Sequence, residues 1–167
     1  MIISQDPEDI AHAVKLQNKC ELTNVTLRDS HASAEGTQET NAGPFSLRVT
    51  HTSTANAIVE RVLRVQVRFH IECYDSAVPP GLLFNVQSAF DLDYRIEEGF
   101  EPTDESIGAF KDGNAVFNCW PYAREFVQSM TSRMGLTPPP LPLLRLIPKS
   151  KEPTAVEHSK HPVQAKS

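Results

Sequence analysis

Strict alternation of apolar and polar residues marks the middle of this chain. Over residues 63–71 every second side chain is apolar, and those between are polar or charged. A period of two indicates a strand with one buried and one wet face, which is typical of an antiparallel sheet. The pattern recurs over residues 84–96 and, more weakly, over 45–50 and 21–28. It therefore predicts four strands, and the length of the run at 84–96 predicts a bulge or bend at Ser88–Ala89.

The apolar period changes in the second half of the chain. Over residues 114–134 the apolar side chains step by three and four, which predicts a long helix with one packed face. Pro121 lies inside this stretch and predicts a kink, because proline removes one backbone hydrogen bond. Gly135 is well placed to end the helix. Residues 103–110 predict a shorter helical turn ahead of it.

A short helix is predicted before the strands, over residues 6–20. Asp6 can cap it, and Pro7 suits the first helical position. Its apolar stripe is modest, so we expect it to dock lightly. The order helix, four strands, long helix predicts an α+β fold, in which a four-stranded antiparallel sheet carries the long kinked helix on one face.

A proline- and leucine-rich stretch follows the long helix, over residues 136–147. The prolines within residues 138–142 predict an extended, polyproline-like path, yet so apolar a stretch must pack on something. Residues 148–167 carry charges and prolines without apolar periodicity, which predicts a disordered tail. We therefore divide the chain into an N-terminal helix (1–20), one sheet-and-helix domain (21–147) and the tail.

Composition and charge narrow the range of functions. The 167 residues are 40% hydrophobic, which suffices for one core of ordinary size. The formal net charge is −5, and no basic stripe could neutralise phosphates, so nucleic acid is not an expected partner. The sequence contains neither a signal-peptide pattern nor the roughly 18 apolar residues of a membrane helix. The three widely spaced cysteines fit free thiols. We expect a cytoplasmic protein without membrane insertion.

Groups that could catalyse a reaction or hold a cofactor are sparse. No glycine-rich phosphate loop is present. His70 and Cys73 lie three residues apart on a predicted strand and so face opposite ways, which makes them a poor metal pair. Asp91 and Asp93 share a strand face and could form a carboxylate pair, but we expect that face to be wet. We expect neither an enzyme nor a bound cofactor or metal.

Residues 119–133 resemble a hallmark of the SecB family of protein-export chaperones. In that family a Pro-Tyr-Ala-Arg-Glu run opens the main helix and a Ser-Met-x-Ser-Arg-like stretch closes it. The strand over residues 62–67 and the order of the strands also resemble the family, and the likeness covers roughly residues 22–146. The motif residues in this chain are Pro121, Tyr122, Ala123, Arg124, Glu125 and Arg133.

The resemblance implies a homotetramer, a dimer of dimers with the main helices between two eight-stranded sheets. It implies binding of unfolded client polypeptides along exposed apolar grooves without ATP, and delivery of preproteins to the translocase motor SecA. Aromatic and aliphatic side chains suit such binding because burial of apolar surface is non-directional. The candidate client-binding residues are Phe45, Leu47, Val49, Phe84, Phe90, Tyr94, Trp120, Tyr122, Phe126, Leu141 and Leu144.

This sequence also departs from the family pattern, and two alternatives stay open. Of the acidic side chains that the family uses to dock SecA, Asp29 is kept, whereas Ser33 and Asn85 stand where acids would be expected. The first alternative is a dedicated antitoxin chaperone. The helix before the first strand resembles the one in SecB-like chaperones that protect the antitoxin of a toxin–antitoxin pair. The second alternative is a small-ligand-binding or hydrolytic α+β domain, which would need a closed pocket with converging polar groups.

Overall fold

The computed structural model describes residues 1–36 and 44–149, and its body is an antiparallel sheet covered on one face by a long helical stretch. The predicted α+β fold is confirmed. In chain order the elements are β1 (Ile2–Gln5), α1 (Pro7–Gln17), β2 (Cys20–Ala34), β3 (Phe45–Ala55), β4 (Val62–Asp75), β5 (Leu82–Ile96), α2 (Asp104–Phe110), a π-helical segment (Lys111–Ala115), α3 (Val116–Arg133) and β6 (Arg145–Pro148). Apart from Pro148 and Lys149, the tail predicted at 148–167 lies outside the described residues.

The main sheet has the strand order β2-β5-β4-β3, so the two strands richest in alternating apolar residues lie at its centre. Leu63, Val65 and Phe69 of β4 are at most 2% exposed, and they form the inner face of the sheet, which carries the helix. The bulge predicted at Ser88–Ala89 is wrong in its place. β5 pairs with β4 without interruption there. The register shifts lie in β2, at Leu22/Asn24 and Leu27/Asp29, and in the β4–β5 pairing at Cys73/Tyr74.

The long helical stretch consists of α2, the π-helical segment and α3 without a break. Thr103 caps α2, since its side-chain oxygen accepts a hydrogen bond from the backbone N–H of Ser106 at 3.3 Å. Gly135 ends α3 in a left-handed conformation (φ 76°), which glycine adopts without steric cost. The buried face of α3 consists of Val116, Cys119, Trp120, Ala123, Val127 and Thr131. The kink at Pro121 stays a prediction.

Helix α1 is docked more firmly than its modest apolar stripe predicts. Its Leu16 and Ala13 are 0% and 2% exposed, because the helix packs against α2. Asp6 occupies the position before the helix, but its side chain makes no capping bond among the described residues. Its carboxylate instead pairs with Lys149 at 3.0 Å.

The strands β1 and β6 form a separate, two-stranded parallel sheet that the sequence does not predict. Ile2 pairs with Arg145, and Gln5 pairs with Pro148. The segment between α3 and β6, residues 136–144, has no regular secondary structure, and we call it the proline-rich segment. It packs as expected, because its leucines at 136, 141 and 144 are buried in the core.

Candidate functional site

The two edges of the main sheet differ in how well they are protected from pairing with another chain. On β2 the register shifts between Leu22 and Asn24 and again between Leu27 and Asp29. Bulges of this kind twist an edge and interrupt its hydrogen-bonding groups. Edge strand β3 pairs with β4 over its whole length without a shift, and Arg48 is its one charged residue. Among residues 1–36 and 44–149, no strand pairs with the other edge of β3, and this free edge therefore presents an even row of backbone donors and acceptors.

The inner face of β3 carries apolar side chains that the helix leaves partly uncovered. Phe45 is 38% exposed, and Leu47 and Val49 are half-buried. Helix α3 makes its main contacts with β5, β2 and β4, whereas the π-helical segment contacts β3. The free edge of β3 and this apolar row together form what we call the β3 surface.

An aromatic row connects the β3 surface to the proline-rich segment. The ring centroid of His51 lies 6.1 Å from that of Phe69, which lies 5.4 Å from Trp120. The indole nitrogen of Trp120 donates a hydrogen bond to the carbonyl of Pro142 at 2.9 Å. Burial lowers the pKa of His51, although Asp112 opposes the shift, so the imidazole is neutral at pH 7.

A second apolar strip lies on the other side of the helix, between β2 and α3. Leu27 of β2 is 42% exposed and pairs with Phe90, against whose ring Phe126 packs edge-on at 6.4 Å. Tyr122, one turn before Phe126, is 45% exposed. The helix thus leaves apolar surface uncovered on both of its sides.

This arrangement of sheet and helix is similar to a solved structure. That structure is a SecB-like chaperone from Mycobacterium tuberculosis, in complex with a ChAD peptide from the HigA1 antitoxin. The two chains superpose with a TM-score of 0.73 at 18% sequence identity, over 82% of this chain and 99% of the other. The fold is SecB-like.

A second solved structure, a protein of unknown function from Streptococcus agalactiae, superposes with a TM-score of 0.37 at 10% identity. It covers 69% of this chain and 89% of the other. No protein-family model and no curated protein matches the chain.

In the SecB-like fold of this chain, the candidate residues from the sequence divide into two groups. Five have exposed or half-exposed side chains and can reach a partner: Phe45, Leu47, Val49, Tyr122 and Phe126. The other six are at most 6% exposed and fill the core: Phe84, Phe90, Tyr94, Trp120, Leu141 and Leu144. Their assignment to an open groove needs correction, because a buried side chain offers no surface to a partner. Sequence alternation marks both groups as apolar without telling them apart.

The motif residues of α3 also differ in role. Ala123 is fully buried and lies on the face of α3 that packs into the core. Pro121, Glu125 and Arg133 are exposed. Arg124 is half-buried, and within the described part of the chain its Nε atom is buried without a hydrogen-bond partner. An orphaned buried donor of this kind is rare and is usually satisfied by another group.

The outer face of the sheet, opposite the helix, is polar, and its acids are paired with arginines. Arg64 holds Asp93 in a bidentate contact, with Nε–Oδ1 2.6 Å and Nη2–Oδ2 3.0 Å. This hydrogen bonding lowers the pKa of Asp93. Arg28 contacts Asp91 at 2.7 Å. Asp91 is only 8% exposed, whereas the sequence predicts that it faces solvent. The negative charges of Asp91 and Asp93 are therefore largely neutralised by the arginines beside them.

Asp29, the candidate docking acid, is the most exposed acid of these outer-face pairs. Its side chain is 72% exposed, and it lies 3.7 Å from Arg68. Ser33 and Asn85 lie on neighbouring strands, where they form a cross-strand pair. The outer face also contains a pocket of about 210 Å³ lined by Asp29, Arg68 and both His31 and His70.

Metal and thiol chemistry find little support in the described residues. In residues 1–36 and 44–149, no group of three or more His, Cys, Asp or Glu side chains could hold a metal ion. Burial raises the pKa of Cys20 and Cys73 to about 11 and that of Cys119 to about 12, so all three thiols are protonated at pH 7. No helix in these ranges is long and apolar enough to cross a membrane.

Proposed function

We propose that this chain is a molecular chaperone that holds unfolded polypeptides in extended form without ATP. The observation that carries the proposal is the β3 surface. It combines an uninterrupted free edge with a row of partly exposed apolar side chains. An extended chain can add to such an edge through backbone hydrogen bonds, which do not depend on its sequence. Its apolar side chains would then pack beside Phe45, Leu47 and Val49.

The client most consistent with these observations is an aggregation-prone antitoxin. The similar solved structure contains a peptide from an antitoxin, which supports a dedicated client of this kind. Delivery of preproteins to SecA is the second candidate. Docking through Asp29 has weaker support, because Arg68 lies beside that carboxylate and the neighbouring acids are paired with arginines. We propose antitoxin protection as the primary role.

We further propose that the chain acts as a cytoplasmic homotetramer, a dimer of dimers, and that it catalyses no reaction. The exposed face of α3 supports self-association. It carries Phe117 and Tyr122, which are 46% and 45% exposed. A second copy that covers this face would bury these aromatic rings. Size exclusion with light scattering tests this, and a monomer at micromolar concentration would contradict it.

The chaperone proposal is tested by matched substitutions on the two faces of one strand. Val49→Lys places a charge in the apolar row, whereas Thr50→Lys places the same charge on the outer face. We expect the wild-type protein and Thr50→Lys to suppress aggregation of a chemically unfolded client equally well, with or without ATP. Val49→Lys should suppress it poorly, because a client would have to desolvate the ammonium group.

Folding and client choice require separate controls. Circular dichroism establishes that Val49→Lys is folded, and the isosteric Val49→Thr should show an intermediate loss of suppression. If the wild-type protein fails to suppress the aggregation of any unrelated client, it can still be a dedicated chaperone of one antitoxin. Co-expression with an antitoxin encoded by a neighbouring gene tests that role. A lack of effect on the solubility of that antitoxin as well would refute the proposed function.

A further inference from the structure

The proline-rich segment is fixed at its start, in its middle and at its end by backbone and side-chain hydrogen bonds. At its start, the N–H of Leu136 donates to the carbonyl of Thr131 at 3.0 Å. In its middle, Trp120 donates to the carbonyl of Pro142. At its end it continues into β6, which pairs with β1. Its own Leu141 and Leu144 point into the core and are 4% and 6% exposed.

The end of the segment is fixed by the N-terminal strand. The N–H of Arg145 donates to the carbonyl of Met1 at 3.0 Å, and the N–H of Lys149 donates to that of Gln5 at 2.8 Å. β1 is itself anchored, because Ile3 is buried and the side chain of Gln5 donates to the carbonyl of Ala109 at 2.9 Å. The position of the proline-rich segment therefore depends on a strand that lies at the other end of the chain.

The β1–β6 sheet is the shortest paired element of this arrangement. It has four residue pairs, whereas β4 and β5 pair over most of their length. An isolated two-stranded sheet is marginally stable in water, and short elements with exposed hydrogen bonds open locally without global unfolding. Ile2 and Ile147, on its outward side, are 63% and 39% exposed, so they add little burial.

We propose that the β1–β6 sheet is a latch, and that its opening releases the proline-rich segment so that Trp120, Leu141 and Leu144 become available to an extended apolar client. The inference rests on the proposed function and extends it to residues that the closed structure buries. An apolar segment that binds only the open form shifts the population toward it, in proportion to its preference for that form. Clients would then bind at the β3 surface first and gain further contacts once the latch opens.

A reversible disulfide tests the latch. Ser4 and Ile147 are directly paired across β1 and β6, and both are exposed, so Ser4→Cys/Ile147→Cys can lock the sheet with little disturbance of the core. The background carries Cys20→Ser, since Cys73 and Cys119 are buried. Glu21→Cys/Arg95→Cys, an exposed pair across β2 and β5, is the matched control that locks strands outside both the latch and the β3 surface.

Binding of reduced, carboxymethylated α-lactalbumin, which stays unfolded and has no free thiol, is measured for each variant in its oxidised and reduced forms. We expect the oxidised latch variant to bind about tenfold more weakly than its reduced form, because the lock removes the binding-competent population. The control variant should bind equally in both forms. In native-state hydrogen exchange, the amides of Leu146 and Ile147 should exchange about a hundredfold faster than those of β4.

The possible outcomes separate the two proposals. If the oxidised and reduced latch variants bind equally, the latch is refuted while the proposed function stands. If neither form binds and the control variant also fails to bind, the proposed function is refuted and the latch with it. Exchange of the β6 amides as slow as that of β4 would likewise contradict a latch that opens on its own.

Discussion

The side chain of Gln5 lies directly against the backbone of Gly113. A methyl group added at Gly113 would stand 2.4 Å from Gln5 Oε1, well inside van der Waals contact. The amide of Gln5 points past this glycine to the carbonyl of Ala109, in the last turn before the π-helical segment. Glycine at position 113 thus allows β1 to pack closely on the long helical stretch.

This contact predicts opposite effects for two glycines of the same helical stretch. Gly113→Ala should lower the free energy of unfolding by about 1–2 kcal/mol, because it displaces Gln5 and breaks its buried hydrogen bond. Gly108→Ala should raise it by about 0.5–1 kcal/mol through helix propensity, as no heavy atom lies within 4 Å of the new methyl group. Chemical denaturation measures both. Equal stabilisation by the two substitutions would mean that Gln5 does not occupy this position.

The turn between β3 and β4 predicts a second matched pair. Glu60 and Arg61 both have positive φ, 50° and 60°, in a two-residue turn closed by reciprocal bonds between Val59 and Val62. Such a turn favours asparagine and glycine. Glu60→Gly should therefore raise the free energy of unfolding by about 0.5–1 kcal/mol, because it relieves left-handed strain.

Arg61→Gly relieves the same strain but should have the opposite net effect. The guanidinium of Arg61 donates to the carbonyls of Ile96, at 3.2 Å, and Phe100, at 3.1 Å, and also contacts the carbonyl of Glu97. Loss of these bonds should lower the free energy of unfolding by about 1–2 kcal/mol. Thermal or urea denaturation distinguishes the variants, and stabilisation by Arg61→Gly would contradict a structural role of the guanidinium.

A third prediction concerns pH and the outer face. The pKa of Asp93 is lower in the folded protein than in the unfolded chain. Its contribution to the free energy of unfolding is therefore fully present above the unfolded pKa, about 3.9. That contribution is lost as the pH falls through the folded pKa. Arg64→Met should lower the free energy of unfolding at pH 7, and the difference from the wild-type protein should shrink toward pH 3 and below.

Arg68→Met is the matched control for this pair. Its contact with Asp29 is longer, at 3.7 Å, and the two side chains are 56% and 72% exposed. Exposed ion pairs are screened by solvent, so we expect a loss below about 0.5 kcal/mol. Urea denaturation of both variants between pH 3 and 7 makes the comparison. A loss for Arg64→Met that did not change with pH would exclude the ion pair as its cause.

The fourth prediction uses two neighbouring leucines of the proline-rich segment. Leu144 is 6% exposed and Leu143 is 67% exposed. Leu144→Ser should lower the free energy of unfolding by about 2–4 kcal/mol, because it removes buried apolar volume. Leu143→Ser should leave the free energy of unfolding nearly unchanged. It should weaken client binding about fivefold, as expected if a bound client partly buries this one leucine. Denaturation and client titration on both variants test this, and normal client binding by Leu143→Ser would exclude its side chain from the contact surface.

Leu141 and Leu144 are candidate client-binding residues from the sequence, and their burial changes what serine at both positions should do. Because both are buried in the core, their substitution acts on stability first, and its effect on binding is measurable only under conditions where the variant is folded.

The sequence by itself determined the sheet and the main helix. Alternation in β4 and β5 and the three-to-four spacing in α3 are local properties, because the side-chain period follows directly from the backbone conformation. The Pro-Tyr-Ala-Arg-Glu run at 121–125 added the likeness to SecB, and the superposition confirms the SecB-like fold.

Only the tertiary structure decided which apolar side chains are core and which remain available. Phe84 is 0% exposed and Phe45 is 38% exposed, although both lie in alternating strands. The difference arises because β5 lies at the centre of the sheet beneath α3 and β3 lies at its edge. The pairing of β1 with β6 was likewise invisible in the sequence. Four-residue strands carry too short a pattern to recognise, and their partners are brought together only when the rest of the chain has folded between them.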